Sequence, residues 1–359
     1  MRPAQRTPLP SMAPPRAALV LLLCSVVCGC AVPGPGLPDD RRSEIETFVY
    51  DATLDIGPTR IQAYRAGDPD RPRVIYVHGT PGEATHWAAF LLDPVAGTES
   101  IAIDRPGYGG SEPRGPVTSV ADQAAALQPL LVRRDRRGVI LVGHSYGAPV
   151  VAESALQYPS RVDGLVLVSG SFDPDEERVL FIQRVATSPL VQPLLPRWVR
   201  NANLELVALE NELIPLERRL EAVDVPVEIV HGTSDGLVPI SNVEYMRGAL
   251  SDEPAVTEIE GGGHFVPWED EAAVRAAVQR LLALDPPARE SLMAEPPEFL
   301  QTETQGQEVE TEDGNGGDDT GDDTGDDTGD DTGDDTGDRS GDGPDFGAGT
   351  PGAGTAPDR

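Results

Sequence analysis

Lysine is absent from this chain: all 28 basic residues are arginine, set against 60 acids, for a formal net charge of −32. The missing lysine reflects base composition and carries no mechanism. The shortage of positive charge is informative, because a phosphate backbone is bound through basic side chains, and this balance argues against a nucleic-acid partner. Cysteine is scarce, and its three copies, Cys24, Cys28 and Cys30, all lie near the N-terminus. Neither a disulfide nor a thiolate metal site can form in the body of the protein. Histidine is also sparse, with five residues, and no two have metal-ligand spacing, so no metal and no cofactor are expected. A membrane-spanning helix needs about 20 consecutive apolar residues, and the apolar run at residues 17–27 falls short of that.

That run has its own meaning. Arg2, Arg6 and Arg16 precede it with no acid among them, the charge pattern of a secretory signal peptide over residues 1–29. The segment ends Val27-Cys28-Gly29-Cys30, which resembles a bacterial lipobox. The resemblance implies cleavage before Cys30 and a lipid on its sulfur. The protein would then sit on the bacterial envelope, facing the periplasm or carried on the outer membrane in a Gram-negative host, with the membrane as a partner through that anchor. The plainer alternative is an ordinary cleaved signal peptide. Residues 30–45 are rich in proline and glycine and read as a tether. At the other end, residues 301–359 hold 19 acids and 2 arginines, and residues 318–337 are five copies of Asp-Asp-Thr-Gly. Nothing there can bury a core, so residues 288–359 are expected to be a largely disordered acidic tail.

Between tether and tail, residues 46–287 read as one domain. Residues 47–56 and 59–66 alternate as two antiparallel strands joined at Gly57-Pro58. Short apolar runs follow at 73–77, 100–103, 139–142, 164–169 and 227–230, and a further strand at 255–259, with helical stretches at 119–132, 148–158 and 270–284. Strands alternating with helices imply an α/β fold with a mostly parallel sheet covered on both faces. Residues 171–223 interrupt the rhythm. They are helical in character but broken by Pro189, Pro193, Pro196 and Pro215, and read as a cap inserted into the domain.

The organising motif is Gly143-His144-Ser145-Tyr146-Gly147, set between the strand at 139–142 and the helix at 148–158. Strand, Gly-x-Ser-x-Gly turn and helix are the parts of a nucleophile elbow, which holds a serine exposed at the carboxyl end of its strand. Serine is a weak nucleophile, so it needs a base, and the base needs a partner that fixes its tautomer. His264 follows the last strand after Gly261-Gly262-Gly263, a loop able to bring an imidazole over Ser145. Asp235 follows the strand at 227–230 in His231-Gly232-Thr233-Ser234-Asp235. Asp173 is its rival for the acid.

The motifs His78-Gly79-Thr80-Pro81-Gly82, Asp104 to Gly110, Gly143 to Gly147, Asp235 and His264, in that order, resemble the α/β-hydrolase fold and its serine-nucleophile branch over residues 47–284. The resemblance implies a catalytic triad of Ser145, Asp235 and His264. It also implies an oxyanion hole from the main-chain N–H groups of Thr80 and Tyr146, and a pocket wall from residues 104–110. The other histidines read as structural, and Glu205, Glu210 and Glu212 as solvated faces of a cap helix. The expected function is hydrolysis of a small-molecule ester through an acyl-enzyme. Two alternatives stay open. One is an amidase or peptidase like the proline iminopeptidases, whose His-Gly-x-Pro-Gly loop this chain shares. The other is a lipid-anchored binding protein without catalysis.

Overall fold

The computed structural model of the protein describes residues 36–285 apart from 135–136. The expected signal peptide, Cys30 and the acidic tail lie outside the described residues. Eight strands form one sheet: β1 (Glu46–Leu54), β2 (Gly57–Gly67), β3 (Arg73–Val77), β4 (Glu99–Ile103), β5 (Val139–His144), β6 (Val162–Val168), β7 (Val227–Gly232) and β8 (Ala255–Ile259). Their spatial order is β1-β2-β4-β3-β5-β6-β7-β8. β2 runs antiparallel to both β1 and β4, and every other neighbouring pair is parallel. The hairpin turn is Asp55-Ile56, two residues earlier than the Gly57-Pro58 junction expected from the sequence, because Leu54 pairs directly with Gly57. Gly57 takes φ 118° there, a backbone region that glycine alone enters cheaply.

Eight helices accompany the strands among the described residues: α1 (Ala88–Leu92), α2 (Val120–Ala125), α3 (Gly147–Gln157), α4 (Phe181–Ala186), α5 (Arg197–Glu217), α6 (Ser241–Ala249), α7 (Val266–Glu269) and α8 (Glu271–Ala283). Each central strand sorts its side chains by the two-residue period of a pleated backbone. Ile75, Val77, Leu141, Leu165, Leu167 and Ile229 face one core, closed by apolar residues of α2, α3 and α6. Val74, Tyr76, Ile140, Val142, Val166 and Val168 face the other, closed by α1 and α8. Because both faces are covered, β3, β5 and β6 are buried along their full length, which is why they read as continuous apolar runs. β1 alternates between buried and exposed residues from Thr47 onward, as expected of a strand covered on one side.

Two helical expectations change. The stretch at 119–132 is a short helix capped by Ser119, whose Oγ accepts from the Asp122 N–H at 3.1 Å, followed by a separate 3-10 turn at Gln128–Leu130. Pro129 enforces the break, since a proline disfavours helical backbone in the residue before it and supplies no N–H of its own. In the cap, by contrast, Pro215 does not break its helix. It falls in the last turn of α5, two residues before the end. The cap lies between β6 and β7. It packs part of α5 against the main core and forms a small core of its own from Ala186, Leu195, Val199 and Ala202. No described helix is long and apolar enough to cross a membrane.

Candidate active site

The parallel strands point their carboxyl ends the same way, so the residues that follow β3, β5, β7 and β8 meet along one edge of the sheet, where ligands of open α/β sheets bind. β5 ends at His144, and the chain turns into α3 within two residues. Ser145 sits in that turn at φ 54°, a left-handed conformation that costs a non-glycine residue about 1–2 kcal/mol. The turn is this tight because helix and strands touch. A Cβ at Gly143 would lie 2.3 Å from the Gly147 carbonyl oxygen, and one at Gly147 would lie 2.4 Å from that of Val77.

Asp235 and His264 are brought together by their loops. The Ser234 N–H donates to Gly262 O at 2.9 Å, the Thr233 N–H to Ile259 O at 3.0 Å, and the Gly261 N–H to Thr233 Oγ1 at 2.8 Å. Across this stitching His264 Nδ1 lies 2.8 Å from Asp235 Oδ2, while Asp235 Oδ1 accepts from the Leu237 and Val238 N–H groups at 2.9 Å each. Both side chains are buried. Burial pushes the Asp235 carboxyl up, but the His264 bond and the two main-chain donors outweigh it and hold the acid below its ordinary range. An ionised Asp235 fixes the proton of a neutral His264 on Nδ1 and leaves Nε2 free to accept. Asp173, the rival acid, is spent elsewhere: its Oδ1 accepts from the Asp175 N–H at 3.0 Å.

The His264 loop lies over the elbow. His144, next to the serine, has its Nε2 2.9 Å from the His264 carbonyl oxygen, and the two rings are 4.9 Å apart. Among the described residues no hydrogen bond joins Ser145 Oγ to His264; such contacts often close only when substrate is bound. The Thr80 loop also approaches the elbow, where a Cβ at Gly79 would lie 2.9 Å from that of Ser145. Neither the Thr80 nor the Tyr146 main-chain N–H makes a hydrogen bond among the described residues, so two donors beside the serine are unspent.

The remaining histidines are held neutral by burial. His144 is pushed down to about 3 by burial and the neighbouring His264. His78 is driven well below its ordinary value by burial and Arg105, and His231 is lowered mainly by burial. Asp104 is structural: its oxygens accept from the Ala84 and Gly110 N–H groups at 2.8 Å each. A surface cleft of about 270 Å³ lined by Ile56, Pro58 and Arg114 shares no residue with the Ser145 region. No cluster of histidines, cysteines and carboxylates able to hold a metal occurs among the described residues.

The structure also contains a network that the sequence did not suggest, and it corrects the reading of Glu205 as a solvated face. Glu205 on α5 is completely buried. Its carboxylate receives Arg105 Nη1 at 2.9 Å, Arg105 Nη2 at 3.1 Å, Gln123 Nε2 at 3.1 Å and the Tyr108 hydroxyl at 2.6 Å, as well as the Thr80 hydroxyl. Arg105 in turn donates to the carbonyls of His78 at 2.9 Å and Gly79 at 3.0 Å. Its guanidinium lies 4.6 Å from the Tyr146 ring centre. Burial alone would lower the Arg105 pKa, but Glu205 more than compensates and raises it. The cap is thus tied to the loop carrying the Thr80 N–H, directly through the Thr80 hydroxyl and indirectly through the ion-paired Arg105. A sequence signal for this existed: Glu205 falls on the α5 stripe of Ala202, Leu209 and Leu213, all buried. Glu212 is also partnered, accepting from the Val120 N–H at 3.0 Å, and only Glu210 is exposed as expected.

Residues 74–278 fit the profile of the Alpha/beta hydrolase family. The chain belongs to the alpha/beta hydrolase family. Among its relatives, the dihydrolipoyllysine-residue acetyltransferase component of the acetoin cleaving system of Cupriavidus necator is 33% identical over 133 residues, 37% of this chain and 35% of that protein. The chain therefore spans only about a third of the length of that relative. A non-heme chloroperoxidase of Streptomyces lividans is 28% identical over 240 residues, covering 55% of this chain and 87% of that protein. In three dimensions a hydrolase from Pseudomonas aeruginosa superposes with a TM-score of 0.52 at 18% identity, over 66% of this chain and 98% of the other. At that identity the superposition speaks for the alpha/beta hydrolase fold alone.

Proposed function

We propose that this alpha/beta hydrolase is a serine hydrolase acting through an acyl-enzyme on a small carboxylic ester. Ser145 Oγ attacks the carbonyl carbon, and His264 Nε2 takes the hydroxyl proton. The Thr80 and Tyr146 N–H groups receive the oxyanion. His264 then gives its proton to the departing alkoxide, removes one from water, and water releases the acid. Throughout, the ionised Asp235 stabilises the imidazolium. The observation that carries this reading is the 2.8 Å bond between His264 Nδ1 and Asp235, set beside a serine held at φ 54° with two unspent N–H donors next to it.

Glu205 is not available to grip the amine of an N-terminal peptide substrate, because it is fully engaged by Arg105, Tyr108, Thr80 and Gln123. We also propose, from the arginines, apolar run and Cys30 of the N-terminal segment, that the enzyme is lipid-anchored to the envelope through Cys30. The catalytic reading is tested by labelling the full chain with a fluorescent fluorophosphonate beside Ser145→Ala, followed by a panel of p-nitrophenyl esters and anilides. Labelling lost in the variant, with esters turned over, is the expected result. A folded wild-type chain that neither labels nor cleaves any ester overturns the proposal.

A further inference from the structure

Apolar side chains exposed on this protein are not scattered. Of nine large hydrophobic residues exposed among the described residues, five fall between residues 180 and 198: Leu180, Phe181, Leu190, Leu194 and Trp198. Phe181 and Leu190 are 82% and 85% exposed. These side chains are presented by a packed unit. The same segment turns Ala186, Leu195, Val199 and Ala202 inward to a small core, and Asn203 Nδ2 donates to Gln183 O at 3.1 Å, tying α4 to α5. The segment therefore has an inner face that is satisfied and an outer face that is not.

Charge sets this face apart as well. In a chain with 60 acids and 28 arginines, residues 178–204 contain four arginines, Arg178, Arg184, Arg197 and Arg200, and no acid. No ion pair involving any of the four occurs among the described residues, whereas Arg60, Arg73, Arg105, Arg219, Arg275 and Arg280 are all paired. Arg197 is turned inward, donating Nη2 to Gly109 O at 2.9 Å, which leaves Arg178, Arg184 and Arg200 to the outer face. Leucine, phenylalanine and tryptophan beside three arginines without ion pairs form the composition that binds at a lipid interface, with apolar groups entering the acyl boundary and cations among the phosphates.

We propose that the outer face of the cap, from Arg178 to Arg200, docks on the surface of an anionic phospholipid bilayer. Two other occupants fit less well. The acidic segment 301–359 would match the arginines but offers almost no apolar surface to cover five large side chains. A second copy would offer the apolar surface but set three arginines against three. The inference is independent of the catalytic reading, since it uses no residue of the triad.

Trp198 makes the test direct. It is 38% exposed, while Trp87 is 1% exposed and Trp268 is held by a 2.7 Å bond to His86 O. The full chain is mixed with vesicles of phosphatidylglycerol or of phosphatidylcholine whose acyl chains carry bromine, and tryptophan emission is recorded. Trp198→Phe provides the background. Bromine quenches only a ring that enters the acyl region, so attachment through the N-terminal segment alone leaves Trp198 unquenched. The expected result is a blue shift and quenching of Trp198 with the anionic vesicles, at lipid concentrations at least about tenfold lower than with neutral ones, given three arginines at the surface. Phe181→Asp with Leu190→Asp, at exposed positions that leave the thermal midpoint unchanged, abolishes the quenching. Vesicle-bound protein with unquenched Trp198, or equal quenching by neutral vesicles, overturns the proposal. So does Trp198 emission that responds to removal of residues 301–359 and not to vesicles, which would name the acidic segment as the occupant.

Discussion

Replacing Glu205 tests whether the cap organises the loop of Thr80, the proposed oxyanion donor. Arg105 and Glu205 are both 0% exposed, so Glu205→Ala strands a guanidinium in the interior, along with the Tyr108 and Thr80 hydroxyls. Removing one partner of a buried ion pair typically costs about 3–5 kcal/mol. For a domain of this size that lowers the melting temperature by roughly 6–20 °C, at 2–4 °C per kcal/mol. Glu205→Gln keeps the shape and some hydrogen bonds while removing the charge, and is expected to remain folded with a smaller loss. Its effect on chemistry is the more telling. Arg105 would keep its hold on the His78 and Gly79 carbonyls without a counter-charge to fix its fork, and the Thr80 N–H would lose its placement. In the proposed mechanism that N–H acts on charge that develops only in the transition state, so kcat is expected to fall while KM stays within about twofold. Losing an oxyanion donor outright costs about 10²–10³, so a displaced donor is expected to cost about 10- to 100-fold. Fluorophosphonate labelling rates and ester kinetics measured well below the variant's melting temperature report this separately from unfolding. Wild-type labelling rate and kcat in a folded Glu205→Gln would refute the coupling between cap and loop.

Three further outcomes follow from the same geometry. Ser145→Gly relieves a left-handed backbone that Ser145→Ala retains, so the glycine variant should be more stable than the alanine variant by about 1 kcal/mol in urea denaturation, with labelling absent from both. Asp235→Asn no longer holds the His264 proton on Nδ1, and kcat for esters should fall by on the order of 10⁴ with the fold retained. A fall of less than tenfold would show that another group holds the imidazole. His144 stays neutral in the folded protein down to about pH 3 but takes up a proton near its ordinary value of about 6.5 when unfolded. The unfolded state therefore binds the extra proton between those values. The stability this group contributes is complete above about 6.5 and declines as pH falls, at up to about 1.4 kcal/mol per pH unit. His144→Gln keeps a donor for the His264 carbonyl, so denaturation at pH 7 and pH 5 should show a shallower loss than wild type.

Much of this protein was legible in its sequence because local rules and tertiary structure agree along the central strands. Each apolar run became a strand, and Ser145, Asp235 and His264 each follow a strand's carboxyl end, which a parallel sheet brings to one edge. Where the readings departed, a single residue decided. Pro129 cut the helix at 119–132 short because a missing N–H and a restricted preceding residue act locally. Pro215 lies in the last turn of α5 without ending it.

Glu205 is the instructive failure. A carboxylate on a cap helix is solvated by default, since burying its charge without a partner is prohibitive. Its partners, Arg105, Tyr108, Thr80 and Gln123, lie between 82 and 125 residues away in the chain. By itself the sequence determined the alternation of strands and helices, the elbow and the order of candidate triad residues, because these depend on periodicity and on turns of a few residues. Only the tertiary structure decided the order of the strands, the pairing of Asp235 with His264 rather than a rival acid, and the burial of an ion pair beneath the cap. Those depend on which distant groups meet, and a buried charge is tolerated only where they do.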